Sequence, residues 1–349
     1  MRHYILLFLC FLLIIAPNFA QTDTPIPISA ENIRDFRSVI RADFEPYPDI
    51  ISGWFVVSPD GWRVAVRVGL DRMIIFEDGV FADAFSITNP ALENPNIIDA
   101  IFISEDGNTI AVVDDKGLVT FRDIEVGTQA IMNFALTNEI MPQALWVESG
   151  QAWIEALVIA NNTSVVGSMR SDTPPTYIPY APADDSDAIV RIGRILPPYV
   201  VTSSAQGEVK LWDLETGDIL ASADVGDMPA VFGQISPNGQ FLVWRDPMSQ
   251  TVSLLNFETG KNIPVAELDG AYFQAFYVSD DGTVILGIDE DFEPRVVAWI
   301  VATGERIDLG EFRACSRVPD MIRMSHDMTT LVIGCDTGLD IWRIAPESD

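Results

Sequence analysis

The sequence predicts an all-β fold of seven four-stranded units, and three observations carry the prediction. A serine-led turn signal recurs: SPDG begins at Ser58, SEDG at Ser104, SPNG at Ser236, SDDG at Ser279 and SHDM at Ser325. The copies are evenly spaced, with intervals of 46, 132, 43 and 46 residues, and 132 is three periods of 44. Between them lie short runs of β-branched and aromatic residues, divided by Gly, Asp and Asn, with little helical period. A period of roughly 40–45 residues with four strands per unit is the spacing of β-propeller blades.

Each part of the unit has its own reason. In Ser58-Pro59-Asp60-Gly61 the proline pre-sets φ, the aspartate suits the next position, and the glycine accepts φ > 0. Asp106-Gly107, Asn238-Gly239 and Asp281-Gly282 repeat that chemistry. The triple gap requires two degenerate copies near 149 and 192, where SGQAWIEALVI and IGRILPPYVVTSS stand. After each anchor comes a strand, such as Thr109–Val113, Phe241–Trp244 or Val284–Ile288. A polar turn follows, as in DDKG at 114–117 or DPMSQ at 246–250. A third strand comes next, LVTFRD, EVKLWD, VSLLNF, RVVAWI or LDIWRI, and ends in IEVG, LETG, FETG or VATG. A last short strand leads to the next anchor. One such unit cannot bury both of its faces, so neighbouring sheets must pack on it.

The copy TSSAQGEVKLWDLETGDIL at 202–220 resembles the WD-repeat family of β-propellers, with Trp212-Asp213 as the signature dipeptide. Elsewhere the dipeptide erodes to Phe121-Arg122-Asp123, Asn256-Phe257 and Trp342-Arg343. The resemblance spans residues 31–349 and is to a divergent, secreted, bacterial member. It departs from the family in lacking the Gly-His pair. The one histidine beyond the first twenty residues is His326, in an anchor turn. Apolar packing and turn chemistry are therefore expected to hold the blades. Trp212, Trp299 and Trp342 fall at equivalent third-strand positions and are expected in the core between blades; core is also favoured for Trp54, Trp62, Trp146, Trp153 and Trp244.

The resemblance also implies how the ring closes. The last unit has strands near 321–324, 330–334 and 338–343, and lacks its outer strand before the chain stops at Asp349. Family members close the ring with an N-terminal strand, and Ser38–Phe44 is the strand-like run available. That removes an open edge. Residues 21–30, with Pro25 and Pro27, read as an extended lead-in. Cys315 enters the innermost strand of the last unit, and Cys335 ends the next strand, on the same side of the ring. A disulfide between them would close about 20 residues and contribute about 3 kcal/mol in the loop-entropy picture. Two free thiols are the alternative.

Residues 1–20 have the layout of a secretory signal peptide. Arg2 and His3 precede an apolar run from Tyr4 to Ala16, then Pro17, Asn18 and the small Ala20. An uncleaved N-terminal anchor with the domain facing outside is the alternative. No other segment is long enough for a transmembrane helix. The formal net charge is −30, with 51 acidic residues and only three lysines, Lys116, Lys210 and Lys261. Such a surface argues against nucleic acid and against anionic membranes.

Catalytic chemistry finds little to work with. A nucleophilic triad needs a base, and His326 sits in a turn. Two cysteines without nearby histidines make a poor metal site. The acidic stretches at 184–187 and 289–293 lack a calcium-loop ligand pattern. Paired carboxylates are inevitable by chance, and the adjacent Asp-Gly pairs fit hairpins rather than glycosidase repeats. No Gly-rich phosphate loop is present, and Asn161-Asn162-Thr163-Ser164 is either a glycosylation acceptor or a hairpin turn. The expectation is a monomeric, non-enzymatic, extracytoplasmic scaffold that needs no cofactor and meets protein partners through its loop faces. The alternative is a small-ligand or glycan binder using the central funnel, with a hydrolase behind it.

Overall fold

The computed structural model describes residues 26–43, 50–86, 96–104, 106–134, 140–148, 151–158, 163–170, 176–179, 189–192, 199–204, 206–213, 216–225, 231–246, 248–268, 273–289, 294–312, 321–334 and 337–344. Among them the chain forms seven four-stranded antiparallel sheets. Sheet one is β2 (Ile50–Val57), β3 (Arg63–Val68), β4 (Arg72–Glu77) and β5 (Val80–Ser86). Sheet two is β6 (Ile97–Phe102), β7 (Thr109–Asp114), β8 (Leu118–Asp123) and β9 (Gln129–Asn133). Sheet three is β10 (Ile140–Glu148), β11 (Gln151–Val158), β12 (Thr163–Arg170) and β13 (Thr176–Pro179). Sheet four is β14 (Ile189–Ile192), β15 (Tyr199–Ser204), β16 (Glu208–Asp213) and β17 (Ile219–Asp224). Sheet five is β18 (Val231–Ile235), β19 (Phe241–Arg245), β20 (Thr251–Asn256) and β21 (Lys261–Glu267). Sheet six is β22 (Phe273–Val278), β23 (Val284–Asp289), β24 (Arg295–Ile300) and β25 (Glu305–Glu311).

The seventh sheet departs from chain order. It contains β26 (Met321–Met324), β27 (Thr330–Gly334) and β28 (Gly338–Ile344), with β1 (Phe36–Asp43) added outside β28. The register runs from Phe36 opposite Ile344 to Asp43 opposite Gly338. Ser38 Oγ donates to Asp340 Oδ1 at 2.8 Å across that pairing. The strand starts two residues before the expected Ser38. Phe36 is buried against Trp342, with ring centroids 6.3 Å apart, and this packing recruits Phe36 into the ladder.

The lead-in is more than an extended leader. Ile28 is 3% exposed, and its N–H donates to the Met328 carbonyl. Asn32 folds the following turn by accepting from the Ser29 N–H and donating to the Pro27 carbonyl. A single 3-10 turn, Ile33–Asp35, then buries Ile33.

Period-2 alternation explains how the sheets pack. On β3, Val64, Val66 and Val68 face Val332, Leu339 and Ile341 of sheet seven, whereas Ala65 faces Ile97 and Ile110 of sheet two. Comparable apolar layers join sheets four and five, five and six, and six and seven. Each Val, Leu or Ile fully buried in this way contributes about 1.5–3 kcal/mol before the entropy of ordering is subtracted.

An antiparallel meander sends its turns alternately to two faces. The β2–β3 and β4–β5 turns and their counterparts make a turn face. The β3–β4 turn and its described counterparts make the opposite, connection face. Residues 1–20, Cys315 and Cys335, the acidic stretch 184–187 and Asn161-Asn162 lie outside the described residues. The side chains of Trp146 and Trp153 do too.

Candidate functional site

The turn face is built by a repeated serine pin. In sheet one the Ser58 hydroxyl donates to Asp60 Oδ1 at 2.6 Å and accepts from the Arg63 N–H at 2.8 Å. The Gly61 N–H closes the turn on the Ser58 carbonyl. Ser236 does the same with Asn238 and Phe241, Ser279 with Asp281 and Val284, and Ser325 with Asp327 and Thr330. Ser58, Ser236 and Ser279 are fully buried. Hydrogen bonds of this kind hold the Asp106 and Asp281 carboxyls below the ordinary range. At Asp106 the Asn108 N–H is the main cause, followed by Ser104. At Asp281 burial pushes upward, but Ser279 and Thr283 outweigh it.

Four of the described turns also dock on the preceding sheet. A Cβ on Gly107 would lie 2.8 Å from Ser58 Cβ, and one on Gly282 would lie 2.7 Å from the Phe241 ring. Gly61 abuts Thr330 and Gly239 abuts Tyr199 in the same manner. In the last turn Met328 takes the glycine position at φ +58° and is buried. His326 stands exposed at the tip of that turn.

Apolar packing and turn chemistry are not the whole bond between sheets, because buried arginines clamp them too. Arg343 donates to Thr330 Oγ1 at 3.0 Å, to Asp78 Oδ1 at 2.7 Å and to the Gly61 carbonyl at 2.7 Å. It lies 4.5 Å over the Trp62 ring. Arg63 reaches Asn108 and the Asp106 carbonyl of sheet two. Arg122 approaches Asp83 and covers the Phe85 ring.

The Asp of the signature dipeptide has a local task. Asp213 Oδ1 accepts from the Thr216 N–H, as Asp123 does from Val126 and Asn256 from Thr259. Trp212, Trp299 and Trp342 occupy one register position, opposite Val200, Ile285 and Leu331. Trp299 and Trp342 are buried. Trp212 is only half-buried, and its indole N–H donates to Thr202 Oγ1 at 2.7 Å. Trp244 is buried, whereas Trp54 and Trp62 are half-buried beneath Arg67 and Arg343.

The connection face differs in chemistry. Leu70 is 54% exposed and Met248 is 75% exposed, each at the tip of a turn between second and third strands. Arg67 and Arg245 hold the same repeat position, the fifth residue of β3 and of β19, and both are half-buried. Arg67 Nη1 donates to the Ile97 carbonyl at 2.6 Å, and the guanidinium lies 5.3 Å over the Trp54 ring. Its Nε is buried without a partner, as is that of Arg245. Burial pushes the Arg67 guanidinium below its ordinary value. The neighbouring Asp246 carboxyl is held low by the Met248 N–H first and Ser249 second, and not by Arg245. Sequence reading passed over both arginines; their shared offset from the anchors was the available signal.

Among the described residues no three His, Cys, Asp or Glu side chains gather as metal ligands, and no helix is long and apolar enough to cross a membrane. No family model matches the chain. Over 256 residues it is 23% identical to a Saccharomyces cerevisiae protein, serine/threonine-protein kinase VPS15. That match takes in 67% of this chain and 17% of the relative, so the chain spans under a fifth of the protein it matches. A chain in the crystal structure of the mitotic checkpoint complex superposes with a TM-score of 0.61 at 15% identity, over 88% of this chain and 96% of that one. That likeness and the four-stranded sheets together support an all-β fold of the WD-repeat propeller kind.

Proposed function

We propose that the chain is a non-enzymatic protein-interaction scaffold built on a seven-bladed propeller, with β1 closing the ring at blade seven. The observation that carries the interaction reading is the connection face, where exposed Leu70 and Met248 stand beside the partly buried Arg67 and Arg245. Arginine is enriched among binding hot spots, and methionine and arginine are enriched at protein interfaces. The turn face also exposes Val80 and Val126, but its arginines Arg63, Arg122 and Arg343 are already used in holding sheets together. The reading extends to export by residues 1–20, a propeller domain over 31–349 and a Cys315–Cys335 disulfide, all on sequence grounds.

The test is in-cell crosslinking of the full chain beside a Leu70→Glu/Met248→Glu variant. Specific crosslinked partners should disappear from the variant while its melting temperature stays unchanged. Retention of the same partners by the variant would remove the connection face from the reading.

A further inference from the structure

We propose that the mouth between sheets one and two on the connection face binds a carboxylate, which pairs with Arg67 over the Trp54 ring. The inference deepens the interaction reading and rests on it for the source of the carboxylate, an acidic residue of a partner protein flanked by an apolar one.

Three observations converge. Arg63, Arg122, Arg295 and Arg343 each reach a carboxylate. Arg67 pairs with none among the described residues, although the chain carries 51 acidic side chains. A partly desolvated cation without a counter-charge favours an incoming anion more strongly than an exposed one does. The guanidinium is also already oriented. Ile97 holds Nη1 and Trp54 supports the plane, so binding would freeze little that is not frozen. Finally, an apolar platform adjoins it. The Leu70 carbonyl accepts from the Ile97 N–H at 2.8 Å, which ties exposed Leu70 to the carbonyl that Arg67 holds. The pairing of a half-buried arginine with an exposed apolar residue three positions on recurs at Arg245 and Met248.

Calorimetry on the full chain tests the assignment. Arg245→Gln serves as the reference background, so that one site is read. The probes are acetyl-Leu-Glu-Leu-Glu-amide and its Gln counterpart. The Glu peptide should bind at least tenfold more tightly than the Gln peptide. Arg67→Gln should abolish that difference, Arg67→Lys should keep part of it, and Arg34→Gln should leave it unchanged. Circular dichroism and thermal melting verify that the variants fold. Equal binding of the two peptides, or Arg67→Gln binding like the reference, would overturn the site. Acetate competing at the peptide's own concentration would overturn the partner-protein source. Failure of the peptide with crosslinked partners intact would remove the carboxylate and leave the scaffold reading standing.

Discussion

Gly107 of sheet two lies so close to Ser58 of sheet one that a Cβ added to it would come within 2.8 Å of the serine Cβ. It also sits at φ +65°, where a side chain is strained. Gly217 has a similar φ of +74° but open space around it. Gly217→Ala should therefore cost about 1–2 kcal/mol, the left-handed penalty alone. Gly107→Ala adds overpacking of about 1–3 kcal/mol. Urea midpoints of the two variants check the difference.

The serine pin should be as costly to remove. Ser279→Ala leaves the Val284 N–H and Asp281 Oδ1 without their shared hydroxyl inside a buried turn. An expected loss of about 1–3 kcal/mol follows. Differential scanning calorimetry would read it as a lowered melting temperature.

Acid should weaken the turn face. Asp281 has its carboxyl depressed in the fold, so the unfolded chain binds its proton more readily. Its contribution is fully present above the ordinary aspartate value, about 3.9, and is lost as pH falls through the folded value. Asn238 fills the equivalent place in sheet five and still accepts through Oδ1. Asp281→Asn should thus keep most stability at neutral pH and flatten the acid limb of a stability-against-pH curve.

The arginine clamp between sheets seven and one is a further target. Arg343→Met strands the Gly61 carbonyl and removes the cation paired with Asp78, and should cost about 2–4 kcal/mol. Lysine cannot reproduce the three-way fork and should rescue little. Arg34→Gln removes an ion pair whose two side chains are about half exposed or more, and should move the melting temperature hardly at all.

Local signals made the sheets legible. Ser-x-Asp/Asn-Gly turns, alternating strands and a fixed period located the anchors, and counting alone placed β10–β13 and β14–β17, whose turns have decayed. The clamps were not legible, because they are long-range. Arg343 finds Gly61 across 282 residues, and nothing around Trp342-Arg343 announces that partner. Phe36 joined its strand for the same reason, since its partner Trp342 lies at the far end of the chain. The candidate site was half visible. Arg67 and Arg245 share an offset from their anchors, but only the fold shows that no carboxylate among the described residues meets Arg67.

Ser38 and Asp340 are 302 residues apart in sequence and hydrogen-bonded in space. The strand Phe36–Asp43 can therefore enter its sheet only once β28, at the far end of the described chain, is in place. Such a nonlocal pairing is a late and slow step. A circular permutant that starts at β2 and carries β1 behind β28 would make that pairing a hairpin and hasten the step.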